Sequence, residues 1–236
     1  MDYSNYNGTN CIGSIKTQGN CRSSWAFAAT ALYEAQLCIN NFNYELSEEA
    51  VVECTHFEAS YTNDCFRGYM NDALLYYSKV GGVLGSNYPY IAGGYGKISG
   101  SPKVRGICTD PHRIFLGPAN VTSHPPLSTT EIKTLLVNKG PLIAGVYANT
   151  AFDYYSSGVF DACPSYSYYY ANDAILLYGY DSQGNWLIKN AWGPNWGIGG
   201  KMVLSSIYDC GLSENLYSLE IPNINANVEV TMNITY

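Results

Sequence analysis

No stretch of this 236-residue sequence approaches the ~20 consecutive apolar residues that a bilayer-spanning helix needs, so no membrane span is expected. Charge is scarce too. Charged residues make up 13%, with 12 basic against 19 acidic side chains, a formal net charge of -7, and no Lys/Arg cluster or stripe. Without that electrostatic footprint a nucleic acid is not an expected partner. Histidine is rarer still, with 3 in the chain, and neither C-x-x-C nor H-x-x-H pairs occur. That excludes the usual structural zinc spacings, and neither a metal nor a cofactor is expected.

What the sequence does have is enough apolar material, 47%, for one large domain or two small lobes sharing a cleft. Eight irregularly spaced cysteines favour disulfides and an oxidising compartment. N-x-[ST] sequons at Asn7, Asn120 and Asn233 agree with passage through a secretory pathway and are candidate glycosylation sites. The expected location is therefore the secretory route, extracellular or endolysosomal. The chain opens at Met1 without an apolar leader, so a processed form is expected.

Local patterning divides the chain into a helical part followed by a strand-rich part. After Ser24, the positions Trp25, Ala28, Ala29, Leu32, Ala35 and Gln36 recur at helical spacing in a run apolar on most faces, which predicts a buried central helix. A second helix is signalled by Ser47 as a cap with Glu48 and Glu49 in its first turn. A third is expected from Tyr69 to Lys79, ending at Gly81 and Gly82. Strands are expected over 113–117, 141–148, 174–180, 186–190 and 201–204, and the Gly/Tyr/Ser-rich stretch 93–102 reads as a surface loop at the border of the two parts.

Three segments carry more specific information. Gln18-Gly19-Asn20-Cys21-Arg22-Ser23-Ser24-Trp25-Ala26-Phe27 resembles the segment Q-G-x-C-G-S-C-W-A-F that holds the nucleophile of papain-like cysteine peptidases. Asn172-Asp173-Ala174-Ile175, running on to Gly179-Tyr180, resembles the strand N-H-A-[VIL]-x-x-x-G-Y that carries the family's catalytic histidine. Trp186 to Gly197, with Lys189-Asn190-Ala191-Trp192-Gly193 at its centre, resembles the block that carries the orienting asparagine. The 149 residues between Ser24 and Asp173 fall within the about 130–150 expected between nucleophile and base. Ser47 to Cys54, Tyr88-Pro89-Tyr90 and Gly140-Pro141 extend the likeness over roughly residues 11–222.

The resemblance implies an α+β, papain-like fold: a helical left lobe over 1–112, an antiparallel, β-barrel-like right lobe over 113–222, a cleft between them, and a C-terminal extension over 223–236. It also implies disulfides Cys21–Cys65, Cys54–Cys108 and Cys163–Cys210, which leave Cys11 and Cys38 for a fourth. The family's cysteine is replaced by Ser24, its histidine by Asp173, and a glycine by Arg22, whereas Gln18, Asn190 and Trp192 are retained. Where the family has glycines on the substrate wall, this chain has Phe66-Arg67-Gly68.

In active members a thiolate at a helix N-terminus is stabilised by the helix and by imidazolium. A serine hydroxyl is a far weaker acid, and a carboxylate with an ordinary pKa of ~3.9 abstracts protons weakly and leaves no imidazolium-like charge. Losing nucleophile or base alone costs on the order of 10⁶ in turnover in a triad peptidase. None of His56, His112 and His124 sits in a motif that restores the base. The expectation is a proteolytically inactive relative that acts as a secreted binding or structural protein, with a protein or peptide partner. Alternatives are a decoy for peptidase substrates or inhibitors, and a weak Ser24-dependent hydrolase. Gln18 reads either as a surviving oxyanion donor or as a polar residue holding its loop. Trp192 reads as packing. The 23 tyrosines and the alternating tail 223–236, an edge-strand pattern, make self-assembly a further expectation.

Overall fold

The computed structural model of the chain describes residues 1–55, 64–94, 112–114, 118–164, 171–221 and 230–231, with 112–113 and 230–231 as backbone only. Helix α1, Ser24–Ile39, is buried along nearly its whole length. Its alanines at 26, 28, 29, 31 and 35 let neighbours approach on every side, which is why the run lacks a polar face. Helix α2, Glu48–Cys54, starts where the Ser47 side chain accepts a hydrogen bond from Ala50 N at 3.0 Å, and helix α3, Met70–Val80, ends at Gly81. These elements match the sequence expectation to within a residue or two.

Beyond a short strand β1, His112–Arg113, the chain builds a seven-stranded sheet around helix α4, Thr129–Lys139, and the single turn α5, Thr150–Asp153. The strands are β2 Asn120–His124, β3 Leu142–Val146, β4 Val159–Phe160, β5 Asp173–Tyr180, β6 Trp186–Lys189, β7 Lys201–Leu204 and β8 Leu216–Glu220. Their order is β2-β8-β3-β5-β6-β7-β4, antiparallel except for the parallel β4–β7 pair. Among the described residues the sheet does not close, because β2 and β4 remain separate edges. The barrel-like expectation is therefore replaced by an open sheet.

Strand β5 explains how the two halves join. Ala174, Leu176 and Tyr178 face the core cluster around α1, while Ile175 and Leu177 face a second cluster with Leu136, Phe152 and Trp186. Alternating side chains thus enter two cores, so the strand reads as a continuous apolar run. The N-terminal segment crosses to the same strand through a bridge between Asp2 and Gly179, and Tyr3 Oη donates to Leu136 O at 2.9 Å. In the tail, strand β9, Val230–Thr231, pairs with β1 rather than with the edge of the seven-stranded sheet.

Disulfides join Cys11–Cys38, Cys21–Cys65 and Cys163–Cys210. Cys54 is disulfide-bonded, and Cys108 lies outside the described residues. Asn7, in a turn closed by Tyr6 and Thr9, and Asn120, on the edge strand β2, are exposed; Asn233 lies outside the described residues. Among the described residues no helix is long and apolar enough to cross a membrane, and no cluster could hold a metal ion.

Candidate functional site

Ser24 opens α1 and Asp173 opens β5, and packing of that helix on that strand brings the two together. Ser24 Oγ accepts a hydrogen bond from Ala174 N at 3.2 Å, and Ser24 is close enough to Asp173 to help hold its carboxyl down. From the other side Asn190 Nδ2 donates to Asp173 Oδ2 at 3.0 Å. Asn190 is itself fixed, accepting from Ala191 N at 2.7 Å through its side chain and donating its backbone N–H to Gly200 O. Ser24, Asp173 and Asn190 are 9%, 8% and 2% exposed, so the three form a nearly dry row between the lobes.

Burial pushes the Asp173 carboxyl up to about 6, with the hydrogen bonds from Ser24, Ala174 and Asn190 offsetting part of the effect. The carboxylate is satisfied by hydrogen-bond donors, with no cation among its perturbing neighbours. As a proton acceptor it is better matched to neutral pH than a free aspartate, yet accepting a proton makes it neutral rather than cationic.

Gln18 lies next to this row. Its backbone N–H donates to Ala191 O at 2.8 Å, and its Nε2 donates to Cys21 O at 2.9 Å, while Oε1 is buried without a partner. One amide hydrogen is therefore committed to the loop itself. Residues 18–22 line an open surface depression, with Arg22 exposed at its end. Arg22 N donates to Cys65 O at 3.0 Å, tying that rim to the loop carrying Phe66 and Arg67. Asp64 Oδ1 accepts from Phe66 N and Arg67 N, and leaves Phe66 51% exposed beside the exposed Arg67. Gly68 is demanded by Trp25: a Cβ there would stand 2.1 Å from the indole ring. Trp192 meets Phe152 and Trp196 edge-on, at centroid distances of 5.7 and 5.1 Å, as part of an aromatic cluster. His124 is remote from this row, bonding Ser218 on β8; His56 lies outside the described residues, and His112 is described only in its backbone.

Sequence reasoning missed a buried ionic cluster below the row. Lys16 bridges Glu34 at 2.9 Å and Glu48 at 2.7 Å, and Lys189 donates to Ile12 O. A small internal cavity is lined by Lys16, Glu34, Glu48, Lys189 and Asn190. Burial lowers Lys189 to about 8, with Glu34 the largest opposing influence, whereas Glu34 and Glu48 together overcome burial and raise Lys16. The one available signal was Glu34, a charge in the middle of an otherwise apolar helical run.

Comparison with known proteins places this geometry in context. Residues 1–219 match the family described as papain family cysteine protease. A cathepsin B-like CP2 of Giardia intestinalis is 28% identical over 88% of this chain and 69% of its own length. A cathepsin L-like proteinase of Fasciola hepatica is 31% identical over 86% of this chain and 60% of its own length, so the chain spans under two thirds of that relative. Among solved structures, the bromelain protease of Ananas comosus superposes with a TM-score of 0.74 at 26% identity, over 94% of this chain and 98% of that one. A cysteine protease of Carica candamarcensis superposes at 0.77 with 22% identity, covering 94% and 98%, a likeness of fold alone.

Proposed function

Because the chain belongs to the papain family of cysteine proteases, we propose that it keeps the family's scaffold without its peptidase chemistry and acts as a secreted binding or structural protein. The observation that carries this reading is the buried row Ser24–Asp173–Asn190, tied by Ala174 N to Ser24 and by Asn190 to Asp173, in which a carboxyl occupies the head of β5 opposite the first residue of α1. A serine hydroxyl at that helix start is far less nucleophilic than a thiolate. A carboxylate beside the attacked carbonyl also repels the oxyanion that would form there. The row then serves as a clasp between helix and strand. The disulfides and the exposed sequons Asn7 and Asn120 support a secretory route, and protein or peptide partners suit the open rim at 18–22 with Phe66 and Arg67.

One observation favours a second reading, a weak Ser24-dependent hydrolase: a carboxyl raised to about 6 is a better general base than a solvated one. Incubation with a diverse peptide library, read by mass spectrometry, separates the two. The wild-type chain is expected to cut nothing, and the Ser24→Cys, Asp173→His double variant is expected to gain cleavage. Wild-type cleavage that disappears in Ser24→Ala sinks the first reading and establishes the second. Silence from both proteins moves the search for function from the cleft to other surfaces.

A further inference from the structure

Glu49 and Glu53 lie one turn apart on α2, both buried, and close enough that Glu53 raises the Glu49 carboxyl. One oxygen of each has a clear role. Glu49 Oε2 accepts from Ile91 N at 2.8 Å and Ala92 N at 2.9 Å, and Glu53 Oε2 accepts from Tyr88 Oη. The remaining oxygens, Glu49 Oε1 and Glu53 Oε1, are both buried and have no hydrogen-bond partner. Two carboxylate oxygens cannot hydrogen-bond each other; two carboxyl groups holding one proton can.

The groups facing the pair are the hydroxyls of Tyr88 and Tyr90 from the 88–92 segment and, on α2 itself, Glu48, which is turned to Lys16. Neither Glu49 nor Glu53 makes an ion pair with a Lys, Arg or His among the described residues. Burial, with Glu53 adding to it, raises Glu49, in keeping with a retained proton.

The segment they hold supports the rim of the site. Tyr90 Oη donates to Gln18 O at 2.9 Å and is 2.8 Å from Ser23 Oγ, Asn20 N donates to Gly93 O at 2.9 Å, and the Tyr90 ring packs edge-on against Phe27. We propose that Glu49 and Glu53 share one proton and so form an acid-closed latch, which fixes residues 88–93 beneath the Gln18–Arg22 rim and releases them when the proton is lost. The latch is independent of whether the chain cleaves peptides.

The sign follows from linkage. A carboxyl raised in the folded state stabilises it below the ordinary carboxylate pKa, and that contribution is lost as pH rises through the folded value. The readout is amide hydrogen exchange of the intact chain from about pH 5 to about pH 8, corrected for the intrinsic pH dependence of exchange. Protection of Ile91 and Ala92 is expected to fall by up to about tenfold per pH unit as pH rises toward the folded value of the shared proton, and to level off above it. Leu176 in β5 serves as the control and is expected to hold its protection. In Glu49→Gln the amide oxygen still accepts from Ile91 and Ala92 while its N–H donates to Glu53, so protection there is expected to stay flat. Glu53→Gln is the second variant, with a flat profile expected for the mirrored reason. A flat wild-type profile, a parallel loss at Leu176, or a wild-type slope kept by the variants overturns the proposal.

Discussion

Burial at the head of β5 disfavours the charged form of Asp173, and the consequence is measurable without any substrate. Its folded pKa, about 6, stands above the ordinary 3.8, so its stabilising contribution is complete below 3.8 and is lost as pH rises through 6. The amide that replaces this carboxyl in Asp173→Asn is neutral throughout. Relative to wild type, Asp173→Asn is therefore expected to gain about 3 kcal/mol between acid and mildly alkaline conditions, measured by urea unfolding at each pH. Contributions common to both chains, such as those of Glu48 and Glu49, cancel in that comparison. A pH-independent difference shows that the carboxyl is not raised. At this scale the sequence was informative about which residues gather, since the motifs around Gln18, Ser24, Asp173 and Asn190 are contiguous. It carried no information on their burial, which depends on how α1 seats against β5.

Helices and strands were legible in proportion to how far their own side chains decide their structure. α1 announces itself through apolar spacing, α2 through its cap, α3 through its stop at Gly81 and Gly82, and β5 through an unbroken apolar run. α4 was missed although Ser128-Thr129-Thr130-Glu131 spells a reciprocal cap, because Ile132 and Leu136 are its only fully buried apolar contacts amid polar neighbours. In the structure Glu131 Oε2 accepts from Ser128 N at 2.8 Å and the Ser128 side chain accepts from Glu131 N. Ser128→Ala is thus expected to cost about 1 kcal/mol in urea unfolding, and a loss near zero would show that α4 is held by packing alone. β2, β4 and β8 were also missed. Each is a short strand whose register is set by partners distant in sequence, as where Asn120 pairs with Glu220. Strand β9 shows the same limit: alternation marked the tail as strand-like, but nothing local to it named 112–113 as its partner.

The cohesion of the whole molecule rests on what crosses between the α1 core and the sheet, and the ionic cluster is the part that local pattern hinted at only through Glu34, since Lys16, Glu34, Glu48 and Lys189 come from four separate segments. Glu34 is its centre. Its Oε1 accepts from Lys16 Nζ at 2.9 Å and from Leu46 N at 2.7 Å, and it is the largest influence opposing the burial that depresses Lys189. Buried ion pairs are poor sources of net stability, but breaking one leaves an uncompensated charge that costs about 3–5 kcal/mol. Lys189 belongs to the sheet and Glu34 to α1, so their interaction couples the two halves. In Glu34→Gln the cost is expected near that range close to neutral pH, where Lys189 is still protonated because its folded pKa is about 8. As pH rises through that value Lys189 can discharge, and the cost of Glu34→Gln should shrink. A double-mutant cycle with Lys189→Met isolates the link: if Glu34 stabilises the buried ammonium, the double variant loses less than the sum of the singles by about 1–3 kcal/mol. Strict additivity would place the crossing interaction elsewhere, with Lys16 alone answering to Glu34 and the sheet held to α1 by apolar packing and the Ser24–Asp173 clasp.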